Sequence, residues 1–229
     1  MSFLAQGISD AFALILSMDR SLVEIILLSF RVTGSSVFFS TLIGVPLGSL
    51  VALKRFPGRR LFINIFYTFM GFPPVVAGLI VYLILSRRGP LGIMGLLYTP
   101  TAMIIAQTLL VTPIIAALTH AAVKSVDPMI RDAAVSLGAR GLAVGLTVLR
   151  EARYAIMAAV IAGFGRAIGE VGAVMIVGGN IQGSTRVMTT AIVLETGKGN
   201  FELALALGIL LLIFAFIVNM GLHYLQART

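Results

Sequence analysis

The sequence predicts an all-α integral membrane protein with five transmembrane helices and one long polar loop between the third and the fourth. Three observations carry that prediction. Of 229 residues, 59% are hydrophobic and only 11% are charged, where soluble domains carry about 25% charge. Apolar runs near 20 residues, long enough to cross about 30 Å of hydrocarbon, recur along the chain. Between two of them lies a basic island at 124–153, KSVDPMIRDAAVSLGARGLAVGLTVLREAR, with Lys124, Arg131, Arg140, Arg150 and Arg153.

The first 32 residues form a separate segment. Phe3, Leu4, Ile8, Phe12, Ile15 and Leu16 recur at near-helical spacing, while Asp10, Asp19, Glu24 and Arg31 argue against a span. This pattern predicts an amphipathic helix lying in the membrane interface and leading into the first span. Residues 22–30 can extend that span outward. A sixth span beginning near Phe3 is the alternative, and it would move the N-terminus to the other side. No basic n-region with a small-residue cleavage site precedes the apolar residues, so the segment reads as retained.

The membrane domain covers 33–229, with predicted spans at 33–53, 61–86, 100–123, 155–180 and 203–225. Five crossings put the 54–60 loop, the island and the C-terminal tail on one face. That face holds ten positive residues: Lys54, Arg55, Arg59, Arg60, Lys124, Arg131, Arg140, Arg150, Arg153 and Arg228. The other holds six: Arg20, Arg31, Arg87, Arg88, Arg186 and Lys198. The positive-inside rule makes the first face cytoplasmic and the N-terminus external. The net charge of +8 therefore marks topology and membrane lipid, not nucleic acid.

Several spans carry helix-disturbing residues: Gly44-Val45-Pro46-Leu47-Gly48, Gly71-Phe72-Pro73-Pro74 and Thr112-Pro113. Lipid cannot satisfy freed backbone groups, so breaks at these places face protein or a water-filled path. Gly44 and Gly48, four apart, suit close helix packing. Pro73 and Pro74 are candidates for a bend that lines a path, with plain packing as the competing reading. Arg166 and Glu170 are the charges predicted at membrane depth; spaced by four, they share a helix face and can neutralise each other. They are read either as a pathway or gate pair or as an ion pair fixing the helix. Gly163, Gly165, Gly169 and Gly172 strip the same span of side chains and invite close approach by another helix or subunit.

Catalytic chemistry is not evident. There is no cysteine, and His120 and His223 are far apart, so no thiol nucleophile, iron–sulfur cluster or H-E-x-x-H site is encoded. The segment 178–185 approaches a phosphate-binding loop, but Ser184 stands where the lysine belongs. Neither a metal nor a cofactor site is predicted, and uphill transport would draw energy from elsewhere. No internal repeat of the secondary-transporter kind is evident.

Within the island, Asp127-Pro128 predicts a helix start, aspartate capping and proline at the first position. Met129, Ala133, Ala134 and Leu137 form its apolar stripe, and Gly138 sits where a left-handed residue would end it. A second helix is predicted from about Gly141, with Leu142, Leu146 and Leu149. Such helices either dock on a protein partner or rest on the anionic inner leaflet.

The island resembles the EAA loop, the cytoplasmic coupling element in permease subunits of ATP-binding-cassette importers. That family pattern is E-A-A, three residues, glycine, nine residues, then I-x-L-P. Asp132, Ala133, Ala134 and Gly138 match it, with aspartate for glutamate, and Val148 stands at the isoleucine. Arg150 and Glu151 replace the leucine and proline. The run Gly165-Arg166-Ala167-Ile168-Gly169-Glu170-Val171-Gly172-Ala173, followed by Gly178-Gly179-Asn180 and Thr185, resembles the signature of oxyanion permeases for molybdate, sulfate and tungstate. Residues 70–92, 148–156 and 189–209 are similar to the tungstate branch, which shares the LREAR departure.

The resemblance implies a type I importer permease in a prokaryotic cell (inner) membrane. Its partners would be a second copy of itself, separate ATPase subunits that hold ATP and Mg, and an extracytoplasmic oxyanion-binding protein. It implies a permease for tungstate, with molybdate or sulfate as the near alternatives. A secondary transporter or channel is the distant one. By this likeness Asp132, Ala133, Ala134, Gly138 and Val148 couple to the ATPase, and Pro73, Pro74, Arg166 and Glu170 are candidates for the path or gate.

Overall fold

The computed structural model describes residues 20–227 and Ala13, without the side chains of 222, 223 and 225–227. The predicted interfacial helix before residue 20, Arg228 and the His223 side chain lie outside the described residues. What is described is all-helical, with no strand.

The first helix, α1 (Arg20–Leu53), is 34 residues long, about 51 Å at 1.5 Å per residue. It takes in the outward extension at 22–30 and runs through Pro46 without a break. The helix α4 (Pro100–Lys124) likewise runs through Pro113. Two of the three expected disturbances therefore leave a continuous helix. Side-by-side packing of α1 on α4 holds both across their prolines.

The expected second span is two helices, α2 (Arg59–Met70) and α3 (Pro74–Leu85), bent by 104°. The cause is local. A proline disfavours the helical conformation in the residue before it, and before Pro74 that residue is Pro73, at ψ 123°. The expected fourth span is also broken: α7 (Arg153–Ile168) and α8 (Gly172–Gly178) meet at 57°. Counting each bent pair as one crossing gives five candidate spans, the others being α1, α4 and α10 (Phe201–Ala227).

Helix α4 is the hub, touching α1, α2, α3, α7 and α8. Its first half packs with α3 and α8 through Ala102, Met103, Ala106, Val81, Ala173 and Val177. Farther along, Ala116 and Ala117 pack with Phe66 of α2 and Val51 of α1. Met188, Leu207 and Leu210 join Leu22 in a second core that binds α10 to α1. The outward side chains of α10, Leu212, Phe216 and Ile217 among them, are exposed, as lipid-facing side chains are.

Residues 181–202, expected as a plain connection, contain a helix, α9 (Met188–Gly197). Its Thr189, Thr190, Ala191 and Glu195 are buried. A polar-looking segment is thus part of the packed body, because its hydroxyls satisfy backbone groups at its own turn and at Glu170.

Candidate functional site

Two places gather the residues singled out by sequence. The island folds as α5 (Pro128–Ser136) and α6 (Leu142–Glu151). Asp127 caps α5 by accepting from the Met129 amide at 2.8 Å, and Pro128 takes the first helical position. At the other end Gly138 has φ +87°. Its amide donates to the Val135 carbonyl at 2.9 Å, and the Ala139 amide donates to the Ala134 carbonyl at 3.0 Å. That pair of bonds is a Schellman termination. A Cβ at Gly138 would meet nothing within 4 Å, so conformation, not space, requires glycine here. Gly141, at φ +50°, then starts α6.

The island residues separate by direction. Ala134 and Val148 face inward; Val148 packs with Val123 at the end of α4 and Leu53 at the end of α1. Asp132 and Ala133 are exposed. So are Met129 at 73%, Leu137 at 90% and Leu142 at 81%. Val148 therefore anchors the island to the bundle, and the leucines are what an approaching partner would meet. A cleft of about 690 Å³ lies between Leu53, Lys54 and the island, walled by Val135, Val144 and Val148 and rimmed by Arg131 and Arg140. The 54–60 loop and the island share one end of the bundle, where Arg59 Nε donates to the Val51 carbonyl at 2.6 Å.

The second place is where the two bent spans meet. A Cβ at Gly78 in α3 would lie 2.7 Å from Ala173 Cα in α8, and one at Gly172 would lie 3.2 Å from a Val75 methyl. The Pro73-Pro74 break and the Gly169–Val171 break are therefore neighbours. Glu170 lies just past the end of α7, not within a continuous helix, yet it still pairs with Arg166 Nη1. The Glu170 side chain is 3% exposed and that of Arg166 is 36% exposed.

Glu170 is held from several sides. Its Oε1 accepts from the Ala173 amide at 3.1 Å, and its backbone carbonyl accepts from Thr189 Oγ1 at 2.9 Å. One turn back, the Ala167 carbonyl accepts from Gln107 Nε2 at 3.0 Å, and Gln107 Oε1 accepts from Ser36 Oγ at 2.9 Å. These bonds tie α1, α4, α7, α8 and α9 together at the break. Buried polar groups in an apolar body need such partners. Sequence reading missed Gln107, Ser36 and Thr189; a lone glutamine in the apolar run 100–123 was the available signal.

The four glycines of the fourth span also divide. A Cβ at Gly163 would meet Ile115 at 2.8 Å, whereas Gly165 has no neighbour within 4 Å and Gly169 only its own helix's Gly165 carbonyl oxygen at 3.8 Å. One glycine pair packs inside the chain; the other, beside Arg166, opens outward. The near-match to a phosphate loop is a closed turn: Thr185 Oγ1 accepts from the Ile181 amide and donates to the Gly178 carbonyl. Among the described residues no group of three or more histidines, aspartates or glutamates is placed to hold a metal.

Residues 44–229 match a family model described as binding-protein-dependent transport system inner membrane component. The chain is 43% identical to the tungstate uptake system permease protein TupB of Peptoclostridium acidaminophilum, covering 99% of each chain. It is 36% identical to the protein of the same name in Campylobacter jejuni, covering 99% of this chain and 95% of that one. Permeases named for sulfate and for molybdenum transport align at lower identity. A solved inward-facing structure of the MetNI methionine ABC transporter superposes with a TM-score of 0.76 at 20% identity, covering 93% of this chain and 97% of that one. That likeness is one of fold.

Proposed function

This chain belongs to the family of binding-protein-dependent transport system inner membrane components, and we propose that it is the permease subunit of an ATP-driven oxyanion importer with tungstate as cargo. The observation that carries the cargo is the identity of 43% with a tungstate uptake permease across 99% of both chains. Sulfate and molybdenum permeases, the alternative readings, stand farther away.

In this reading the chain moves solute and does no chemistry. ATP and Mg are bound by separate ATPase subunits, and an extracytoplasmic binding protein delivers the anion. The island lies at the cytoplasmic face with Lys54, Arg55, Arg59 and Arg60, as the positive-inside rule favours, and the N-terminus is external. Asp132, Ala133 and the outward Leu137 and Leu142 form the surface that meets the ATPase. Ala134, Gly138 and Val148 hold that surface in shape and fasten it to α1 and α4. This division is supported by the exposure of the first set and the burial or strained φ of the second.

Two copies would face each other across the path. An Arg166 that is 36% exposed at membrane depth cannot face hydrocarbon cheaply, and the open Gly165 and Gly169 beside it favour a facing subunit or water. Closure of the ATPase pair would push the two islands together and tilt the spans, switching access between outside and inside as a rigid-body change. Pro73, Pro74, Arg166 and Glu170, at the neighbouring breaks, are the gate of this proposal.

The test is uptake of labelled tungstate by proteoliposomes holding the whole complex. Uptake should require ATP hydrolysis and the binding protein, and molybdate or sulfate at tenfold excess should compete less well than unlabelled tungstate at the same excess. Uptake without ATP would point to a secondary transporter or channel. Equal competition by molybdate or sulfate would move the cargo assignment.

A further inference from the structure

We propose that Arg166 is itself a cargo ligand in the membrane and that Glu170 is its tether, set to weaken the site so that the anion leaves. The inference rests on the transport reading above and assigns the binding residue within it.

A guanidinium has five N–H donors in a rigid fork. Among the described residues, Arg166 donates through Nη1 to Glu170 and has no second acceptor. Hydrocarbon supplies no acceptor. The remaining donors belong to a side chain that is 36% exposed. On the same helix, Gly165 and Gly169 have no atom of another helix within 4 Å of an added Cβ. The fork therefore has one donor committed to Glu170 and a free edge, one with no acceptor among the described residues. An oxyanion fits the free edge, because paired N–H donors match two oxygens of a tetrahedral dianion.

Glu170 differs from its partner in every respect that bears on mobility. It is 3% exposed, caps the Ala173 amide and belongs to a turn pinned by Thr189 and Gln107. It cannot swing away when an anion arrives. Its charge stays within one side chain's length of the site and opposes the dianion throughout. An uncompensated arginine at this depth would hold a dianion too well for transport, since conduction needs binding weak enough to release. A fixed carboxylate corrects that without occupying the free edge.

Saturable binding of sodium tungstate to the permease–ATPase complex in lipid nanodiscs, without the extracytoplasmic binding protein, tests this, with sodium sulfate as a second probe and sodium chloride as the ionic-strength control. Glu170→Gln keeps an acceptor for Ala173 and removes the charge, so tungstate affinity should rise by about fivefold or more. Arg166→Gln should lower it by about tenfold or more, the scale of one hydrogen bond to a charged group. Arg166→Lys, which keeps charge but loses the fork, should fall between. Wild-type affinity retained in Arg166→Gln, or an unchanged or weaker affinity in Glu170→Gln, overturns the proposal, as does the absence of saturable wild-type binding to either probe. If Arg166→Gln does not fold, the Glu170→Gln result decides alone. A complex that imports tungstate while binding ignores both substitutions leaves the transport reading standing and removes this one. A wrong cargo would show as sulfate binding that follows the same two substitutions where tungstate does not bind.

Discussion

Gly48 of α1 lies against Ala116 of α4 so closely that a Cβ at residue 48 would fall 2.4 Å from the Ala116 carbonyl oxygen. The obstacle is backbone in a buried helix, so neither side can yield by rotating a side chain. This contact, with Gly44 one turn earlier, sets the spacing of α1 and α4, and α1 continues through Pro46 beside it.

Gly48→Ala should therefore destabilise the protein by about 1–3 kcal/mol, the cost of overpacking. Gly34→Ala in the same helix meets nothing within 4 Å and should be neutral or stabilising by up to about 1 kcal/mol through helix propensity. Thermal unfolding of the two variants in detergent compares them directly; equal losses would mean that α1 and α4 are not in this contact.

Gly138 makes a different demand. Its φ of +87° costs a side-chain residue about 1–3 kcal/mol, and asparagine least among them. Gly138→Ala should lower tungstate uptake more than Gly138→Asn does. Gly138→Trp should abolish uptake while membrane abundance persists, because nothing in this chain occupies the space. Normal ATPase association with normal uptake in the tryptophan variant would sink the coupling role.

Leu137, 90% exposed, and Leu142, 81% exposed, contribute little to the fold of the isolated chain. Leu137→Glu and Leu142→Glu should leave its melting temperature within about 1 kcal/mol equivalent of wild type, as surface changes do. Co-purification of the ATPase should drop in both. A variant with wild-type ATPase recovery would remove that leucine from the contact.

Removing Arg166 leaves Glu170, 3% exposed, without its cation, which should lower stability because an unpaired buried charge is costly. Exchanging the charges, Arg166→Glu with Glu170→Arg, should recover only part of the uptake lost in each single variant. The pair would be restored, but an arginine at 170 cannot accept from the Ala173 amide as Glu170 does. A double-mutant cycle reads this coupling, and zero recovery would assign the two residues separate roles.

Glu195, on α9 outside the predicted spans, is held below the usual carboxylate range. The leading cause is the hydrogen bond from Lys198 Nζ at 2.9 Å; burial opposes it, and the Asn200 hydrogen bond and the charges of Lys198 and Arg186 assist. A lowered folded value means the stabilisation is complete above the unfolded value of about 4.3 and is lost as pH falls through the folded one. Lys198→Met should therefore be less stable than wild type near neutrality, and the difference should close in acid. A gap independent of pH between 3 and 7 would rule out this linkage.

The elements that were legible in the sequence are those with short-range causes. Asp127, Pro128, Gly138 and Gly141 bound the two island helices because caps and positive φ act within a few residues. Pro73-Pro74 announced its bend for the same reason. Pro46 and Pro113 suggested breaks, yet α1 and α4 run through them as continuous helices. A single proline leaves one carbonyl free and tolerates a helix whose neighbour holds it, and that neighbour is remote in sequence.

The candidate sites show the same division. The Arg166–Glu170 pairing follows from a spacing of four, but its position at the end of a broken helix follows from Gly169, the Ala173 amide and Thr189. Gln107 binds Ser36, 71 positions away, and Ala167, 60 positions away, and no periodicity encodes such a pair. Val148 matched a family pattern, yet its direction, inward to Val123 and Leu53, depends on how α6 lies across the ends of α1 and α4. By itself the sequence determined that the chain crosses a membrane, where it turns, and which charged pair shares its interior, because hydropathy, caps and helical spacing are local. The tertiary structure decided which glycines pack and which stay open, which island residues face outward, and that the two broken spans meet at their breaks. Those outcomes depend on distances between helices, which exist only once the helices have packed.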